Sequence, residues 1–180
     1  MTEPRAPGVI EIRVGSIAQI FNSLDPSPFH DRDLDQAAEQ FMMDWAREMP
    51  RDAPIVIKVC LPPAVVEGPE ASGVPEAIGN YFAQRAEATK RQLREYFRLG
   101  RRYLAMGMAI LIACLTASAA IGAVIPEGTI SQILSEGLII VGWVANWKPL
   151  EIFLYDWQPI RRRLRLFQRL AAAKIQLAPA

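Results

Sequence analysis

Tyr103-Leu-Ala-Met-Gly-Met-Ala-Ile-Leu-Ile-Ala-Cys-Leu-Thr-Ala-Ser-Ala-Ala-Ile-Gly-Ala-Val-Ile125 contains no charged residue. A helix of this length matches the roughly 20 residues needed to cross a hydrocarbon layer. It also lacks the polar stripe that a soluble core helix of that length would carry. A polar break follows, Pro126-Glu127-Gly128-Thr129. The second apolar arm starts at Ile130, passes Trp143 and Trp147, and continues less cleanly to Leu154. The pattern predicts a transmembrane helical hairpin with spans 103–125 and 130–154.

The net charge of +1 hides a segregation. Residues 1–75 hold six Lys/Arg against twelve Asp/Glu, a net −6, whereas residues 76–102 are +4 and residues 148–180 are +5. Arg98, Arg101 and Arg102 precede the first span, and Arg161, Arg162, Arg163 and Arg165 follow the second. Basic residues beside span ends stay cytoplasmic. Both termini are therefore expected in the cytoplasm of a multi-pass inner-membrane protein, with 126–129 on the far side. The first span is too long and too far from Met1 to read as a signal peptide. The same seven arginines are the expected lipid-headgroup contacts, to anionic lipid above all, since each basic residue there contributes about 1 kcal/mol. Tyr103, Trp147, Tyr155 and Trp157 are the aromatics expected at the membrane interface.

Upstream, the chain reads as a small cytoplasmic α/β domain, 1–63. Met1 to Gly8 is expected to be an irregular tail. Val9–Val14 alternates and reads as a strand, and Ile17, Ile20, Phe21 and Leu24 have the spacing of a short helix. Asp25 to Asp35 is a loop with two prolines. Its acidic residues suit the start of the next helix, with Asp33 and Gln36 placed for a capping box. A calcium loop would need glycine and glutamate where Gln36 and Met42 stand. That helix, Leu34 to Met49, puts Leu34, Ala38, Phe41, Met42, Trp45 and Met49 on the face expected to be core, with Glu39 mostly off it. Pro54–Leu61 is a second strand, so a βαβ unit with parallel strands follows. Two strands and little helix bury too small an area to stand alone, so help is expected from self-association or from the next long helix.

Residues 64–74 read as a linker and 75–102 as a basic juxtamembrane helix. Phe82, Ala86, Thr89, Leu93, Tyr96, Gly100 and Tyr103 step by four and three, a coiled-coil seam that suits an oligomer. Gly100 is the expected bend. Residues 155–180 read as a basic amphipathic cytoplasmic tail. Within it Leu164, Phe167 and Leu170 form a stripe flanked by arginines, the pattern of a helix lying on an anionic membrane surface.

Four polar residues fall in or beside the second span: Glu136, Asn146, Lys148 and Glu151. An intramembrane carboxylate is costly and so a functional candidate. Lys148 and Glu151 have pairing distance on a helix, and Asn146 can hydrogen-bond between helices. Ser118/Gly122 and Ala119/Ala123 allow close helix approach. Cys60 and Cys114 are expected to be reduced and buried, and two cysteines with the single His30 suggest no metal site. Glu136-Gly-Leu-Ile-Ile-Val-Gly-Trp-Val-Ala-Asn-Trp-Lys-Pro-Leu-Glu-Ile-Phe-Leu-Tyr-Asp-Trp157, with Asn22-Ser-Leu-Asp-Pro-Ser-Pro-Phe29, resembles a family of uncharacterised bacterial two-span inner-membrane proteins. The resemblance implies architecture and location over most of the chain, and no chemistry.

No nucleophile–base pairing, phosphate-binding glycine loop or zinc signature stands in the sequence. The expectation is a non-enzymatic, membrane-anchored scaffold or regulatory protein without a cofactor. Its partners would be membrane lipids, a second copy or another protein, and no nucleic acid. The competing expectation is a subunit of a small oligomeric channel or transporter built around the four polar residues.

Overall fold

The computed structural model describes residues 8–126 and 128–180. The tail before Gly8 and Glu127 in the turn lie outside the described residues. The chain forms two compact units, Met1–Lys90 with Arg162–Ala180, and Arg91–Arg161.

The first unit is built on a three-stranded parallel sheet, β1 (Gly8–Arg13), β2 (Ile55–Leu61) and β3 (Lys174–Pro179), in the order β1-β2-β3. Strand β1 pairs with β2 as the βαβ pattern predicted, Gly8 opposite Ile55 and Ile12 opposite Val59. Alternation sends Ile10, Ile12, Ile57, Val59 and Leu61 into the core. On the other face Glu11, Lys58 and Gln176 stand in register. Strand β3 was not expected. Lys174-Ile-Gln-Leu-Ala-Pro is too short and mixed to declare itself, but opposite Val56–Leu61 it completes the ladder. The second crossover, from β2 to β3, contains the whole helical hairpin. A parallel pair needs only a connection long enough to return to the same end of the sheet, and this one carries a second unit within it.

Helix α1 (Gln36–Glu48) lies in the first crossover. It starts two residues later than the sequence reading and on a different cap. Leu34 is still extended, bridged to Phe21, so Asp35 becomes the N-cap and its Oδ1 accepts from Ala37 N at 2.9 Å. The Asp33 N–H instead donates to Asp25 Oδ2, and Asp25 also accepts from Ser27 N, which ties the loop. The buried face is also rotated by about one residue. Glu39, Met42, Met43 and Ala46 are inside, whereas Phe41 and Trp45 are 42% and 47% exposed. The Phe41/Trp45 core assignment is therefore corrected: a partner for Glu39, described below, makes its burial tolerable and sets the helix orientation. Around Ile17 only a 3-10 turn forms, and Leu24 is 89% exposed.

The expected linker is largely folded, with the short helix α2 (Pro63–Val66), a 3-10 turn at Ala71–Gly73 and buried Ala71 and Val74. Helix α3 (Val74–Val124) then runs without a break through both the expected juxtamembrane segment and the first span. Its seam is occupied by this chain itself. In the first unit Phe82 is fully buried and its ring lies 6.3 Å from that of Phe167. Phe167 belongs to α6 (Trp157–Ala171), whose stripe of Leu164, Phe167 and Leu170 is buried at 9%, 2% and 0% exposure. The stripe read as lipid-facing is core. A sheet of three short strands with α1 lacks apolar area, and α6 supplies it.

The second unit is the hairpin: the rest of α3, then α4 (Thr129–Val144), α5 (Trp147–Glu151) and the start of α6. Gly100, Gly107, Cys114 and Ser118 are buried on α3 in this unit, and Ser131, Gly142, Asn146, Pro149 and Ile152 are buried opposite. A Cβ on Gly107 would sit 2.7 Å from Asn146 Oδ1 and 2.9 Å from Ala145 O; one on Gly142 would sit 2.8 Å from Leu111 Cδ1. Small residues thus let the backbones meet. They are not Gly122, Ala119 or Ala123, which are exposed. Gly100 continues the helix, where it accommodates Ile152 and Phe153. Between α5 and α6, Ile152–Asp156 forms a π-helical turn. Pro159 follows it and has no N–H to close on Tyr155 O. Trp157 Nε1 and Gln158 Nε2 instead donate to Phe153 O and Leu154 O at 2.9 and 3.0 Å.

Two helices of the chain are long and apolar enough to cross a membrane. Only 17% of the most apolar window of α3, and 22% of that in the helical stretch from Thr129 to Ala171, is buried. A core helix of a water-soluble domain would be mostly buried.

Candidate functional site

In the first unit, α1, α3 and α6 each contribute to one charged cluster. Glu39 is buried, its side chain 10% exposed. Its Oε2 accepts from the Tyr81 hydroxyl at 2.6 Å and from Arg85 Nη2 at 2.9 Å. Arg85 Nε donates to the Tyr81 oxygen at 3.0 Å, and Arg163 Nη2 lies 3.9 Å from Glu39 Oε1. Helical spacing explains the grouping, since Tyr81 and Arg85 are four apart on one face of α3. The cluster lines an open cleft of about 430 Å³ with Asp33, Asp44 and Arg47. Burial pushes the Glu39 carboxyl up, but the hydrogen bonds from Tyr81 and Arg85 and the charges of Arg85 and Arg163 outweigh it and hold the group below its ordinary value. Burial first, and then the carboxylate it donates to, drive the Tyr81 phenol well up. Near neutral pH Glu39 is therefore charged and Tyr81 protonated. The arrangement ties the three helices together. The sequence reading missed this cluster. The available signal was the spacing of Glu39 three and four residues before Met42 and Met43, which puts it on the face those two methionines share.

In the second unit the four polar residues singled out in the sequence do not converge. Asn146 is 5% exposed and donates to Gly107 O at 3.1 Å and Gly142 O at 3.0 Å, a link between the two arms. Its Oδ1 has no hydrogen-bond partner. Lys148 pairs with Glu151 at 3.0 Å and reaches Asp156 at 3.5 Å. Asp156, not singled out from sequence, also accepts from the Tyr96 hydroxyl at 2.9 Å. Ser118 and Ser135 form a second hydrogen-bonded link between the arms. Glu136 is exposed, with no ion pair among the described residues.

Of the arginines, Arg98, Arg101, Arg102, Arg162 and Arg165 are exposed and have no ion pair among the described residues. Arg161 lies over the Trp157 ring at 5.3 Å, and Arg163 lies over Phe167 at 5.4 Å and beside Glu39. Arg169 caps the end of α1, donating to Ala46 O, Pro50 O and Ala53 O. Tyr103 is 37% exposed, and Trp147 and Tyr155 are 67% and 66% exposed. Trp157 differs: its indole N–H is used on Phe153 O and its ring packs on Phe97. Among the described residues no group of three or more His, Cys, Asp or Glu is placed to hold a metal ion. Comparison with models of known protein families, with curated proteins and with solved structures gives no match.

Proposed function

We propose that this chain is an integral inner-membrane protein with both ends in the cytoplasm, and that it acts as a membrane-anchored scaffold or regulatory protein rather than as an enzyme. One observation carries the reading. Strands β1 and β3, from opposite ends of the chain, both pair with β2, and two exposed apolar arms lie between β2 and β3 in sequence. Two strands of one sheet are on one side of any bilayer, so the chain between them crosses it an even number of times. A pair of helices whose backbone groups are satisfied internally is a structure that hydrocarbon accepts. Basic residues beside both arms favour the cytoplasmic side for the folded unit. The most developed polar cluster, around Glu39, is committed to holding α1, α3 and α6 together, which suits a presenting unit.

The test is site-directed labelling in intact cells and inverted vesicles. A cysteine at Thr129 is expected to react with an impermeant maleimide from outside, and one at Gln176 only in inverted vesicles. Extraction of the protein by alkaline carbonate, or labelling of both positions from one side, would overturn the proposal.

A further inference from the structure

Within the second unit, α3 has two unlike sides between Arg91 and Arg102. At about 100° per residue, Tyr96, Phe97 and Gly107 lie within about 60° of Gly100. This side packs on the other arm: Phe97 stacks on Phe153, the Tyr96 hydroxyl donates to Asp156, and Gly100 and Gly107 meet Ile152 and Asn146. Arg91, Arg94, Arg98, Arg101 and Arg102 all lie about 100° or more from Gly100. All five are exposed, and none has an ion pair or hydrogen bond among the described residues. Five arginines against the single acid Glu95 leave the stretch at +4. The acids of the packed side are already used, since Glu151 and Asp156 both pair with Lys148.

Arg98, Arg101 and Arg102 form the tightest group. Arg101 and Arg102 follow Arg98 by three and four residues, the spacings that make neighbours on a helix surface. Like charges so placed repel one another and favour an anion between them. Arg102 is also the last charge before the uncharged run Tyr103–Ile125, and α3 continues through that run unbroken. The polar layer on each side of a bilayer is about 5–8 Å deep. Four residues of helix rise about 6 Å, so with the uncharged run in hydrocarbon all three guanidinium groups are at headgroup level. Arg91 stands about 16 Å beyond Arg102 along the axis, about two screening lengths away at physiological salt.

We propose that Arg98, Arg101 and Arg102 bind the headgroup phosphate of an anionic phospholipid such as phosphatidylglycerol. This rests on the membrane reading above, which sets the depth of the three residues, and adds to it the class of lipid. Guanidinium groups bind phosphate oxygens through paired N–H donors. The headgroup of phosphatidylcholine carries the same phosphate, but its own ammonium group offsets the charge. Three arginines without a carboxylate partner therefore select the lipid whose headgroup is net negative.

The test is fluorescence quenching in the full-length protein. Ala105 is exposed on the arginine side, one turn beyond Arg101. Ala105→Cys in a Cys114→Ala background is labelled with bimane, while Cys60 stays closed in the first unit at 3% exposure. The protein is placed in phosphatidylcholine vesicles containing a trace of either phosphatidylglycerol or phosphatidylcholine with a nitroxide on the acyl chain. Quenching by the phosphatidylglycerol probe is expected to exceed that by the phosphatidylcholine probe by at least about fivefold. Salt at about 1 M, where the screening length is about 3 Å, is expected to narrow the ratio. Arg98→Gln, Arg101→Gln and Arg102→Gln together are expected to bring it to about one, and Arg91→Gln to leave it within about twofold. A ratio near one in the parent chain, a ratio that survives the triple substitution, or an equal loss with Arg91→Gln would each overturn the site. Quenching by the phosphatidylcholine probe reports the membrane alone. If neither probe quenches, residue 105 is not in hydrocarbon, and the membrane reading fails and takes the site with it.

Discussion

Replacing Phe167 with alanine tests the central feature of the fold, the use of the C-terminal helix as core. Phe167 is 2% exposed, its ring is 6.3 Å from fully buried Phe82, and Leu170 on the next turn is also fully buried. Truncating such a ring removes its transfer free energy and leaves a cavity, together about 3–5 kcal/mol. A small domain has about 5–15 kcal/mol in total, so this loss is a large share. The native thiol of Cys60, 3% exposed in the central strand, is a ready reporter. In a Cys114→Ala background in mild detergent, Cys60 reacts only when the unit opens. A loss of 3–5 kcal/mol at about 1.4 kcal/mol per tenfold predicts labelling faster by about a hundredfold to a few thousandfold. Arg165→Gln is the control. That side chain is exposed and has no ion pair among the described residues, so the rate should change no more than about twofold. If Phe167→Ala left Cys60 protected and altered only the affinity for anionic vesicles, the stripe would lie on lipid, and the argument from the sheet would be refuted with it.

Thermal melting should show Asp35→Ala costing about 0.5–2 kcal/mol and Asp35→Asn much less, while Asp33→Ala costs less than Asp35→Ala, because only Asp35 caps the helix. Acid should loosen the first unit. Glu39 is held below its ordinary value by Tyr81 and Arg85, and Asp25 by the Asp33 and Ser27 N–H groups. A depressed carboxyl stabilises above its unfolded value, about 4, and that contribution is lost as pH falls through the folded value. Cys60 labelling should therefore rise below about pH 4, and less steeply in Glu39→Gln. In the hairpin, Gly107→Ala drives a Cβ against Asn146 Oδ1 and the Ala145 carbonyl, so detergent unfolding should show a loss of about 1–3 kcal/mol. Gly122→Ala meets nothing within 4 Å and should be neutral or stabilising.

Several features followed from composition and spacing alone. An uncharged run of more than 20 residues has few fates, and α3 covers the expected first span, whereas the expected second, 130–154, is broken after Val144 into α4, α5 and the π-helical turn. Strands β1 and β2 were legible because alternation over six or seven residues is a local signal. The seam from Phe82 to Gly100 was legible for the same reason, but not what fills it. A heptad pattern states that a face is buried and leaves the partner open, and here the partner is the C-terminal third of the same chain. The stripe of Leu164, Phe167 and Leu170 was ambiguous in the same way, since lipid and a protein core reward one pattern equally. Tertiary structure decided between them: β3 needs a neighbour to be a strand at all, and by pairing with β2 it places α6 in the first unit. It also decided the face of α1. Hydrophobicity favours Phe41 and Trp45 over Glu39, but Glu39 finds Tyr81 and Arg85 forty-two and forty-six residues away, and a buried carboxylate with two donors costs far less than one with none. Signals carried by neighbours in sequence were readable in the chain, and those carried by partners brought together only on folding were not.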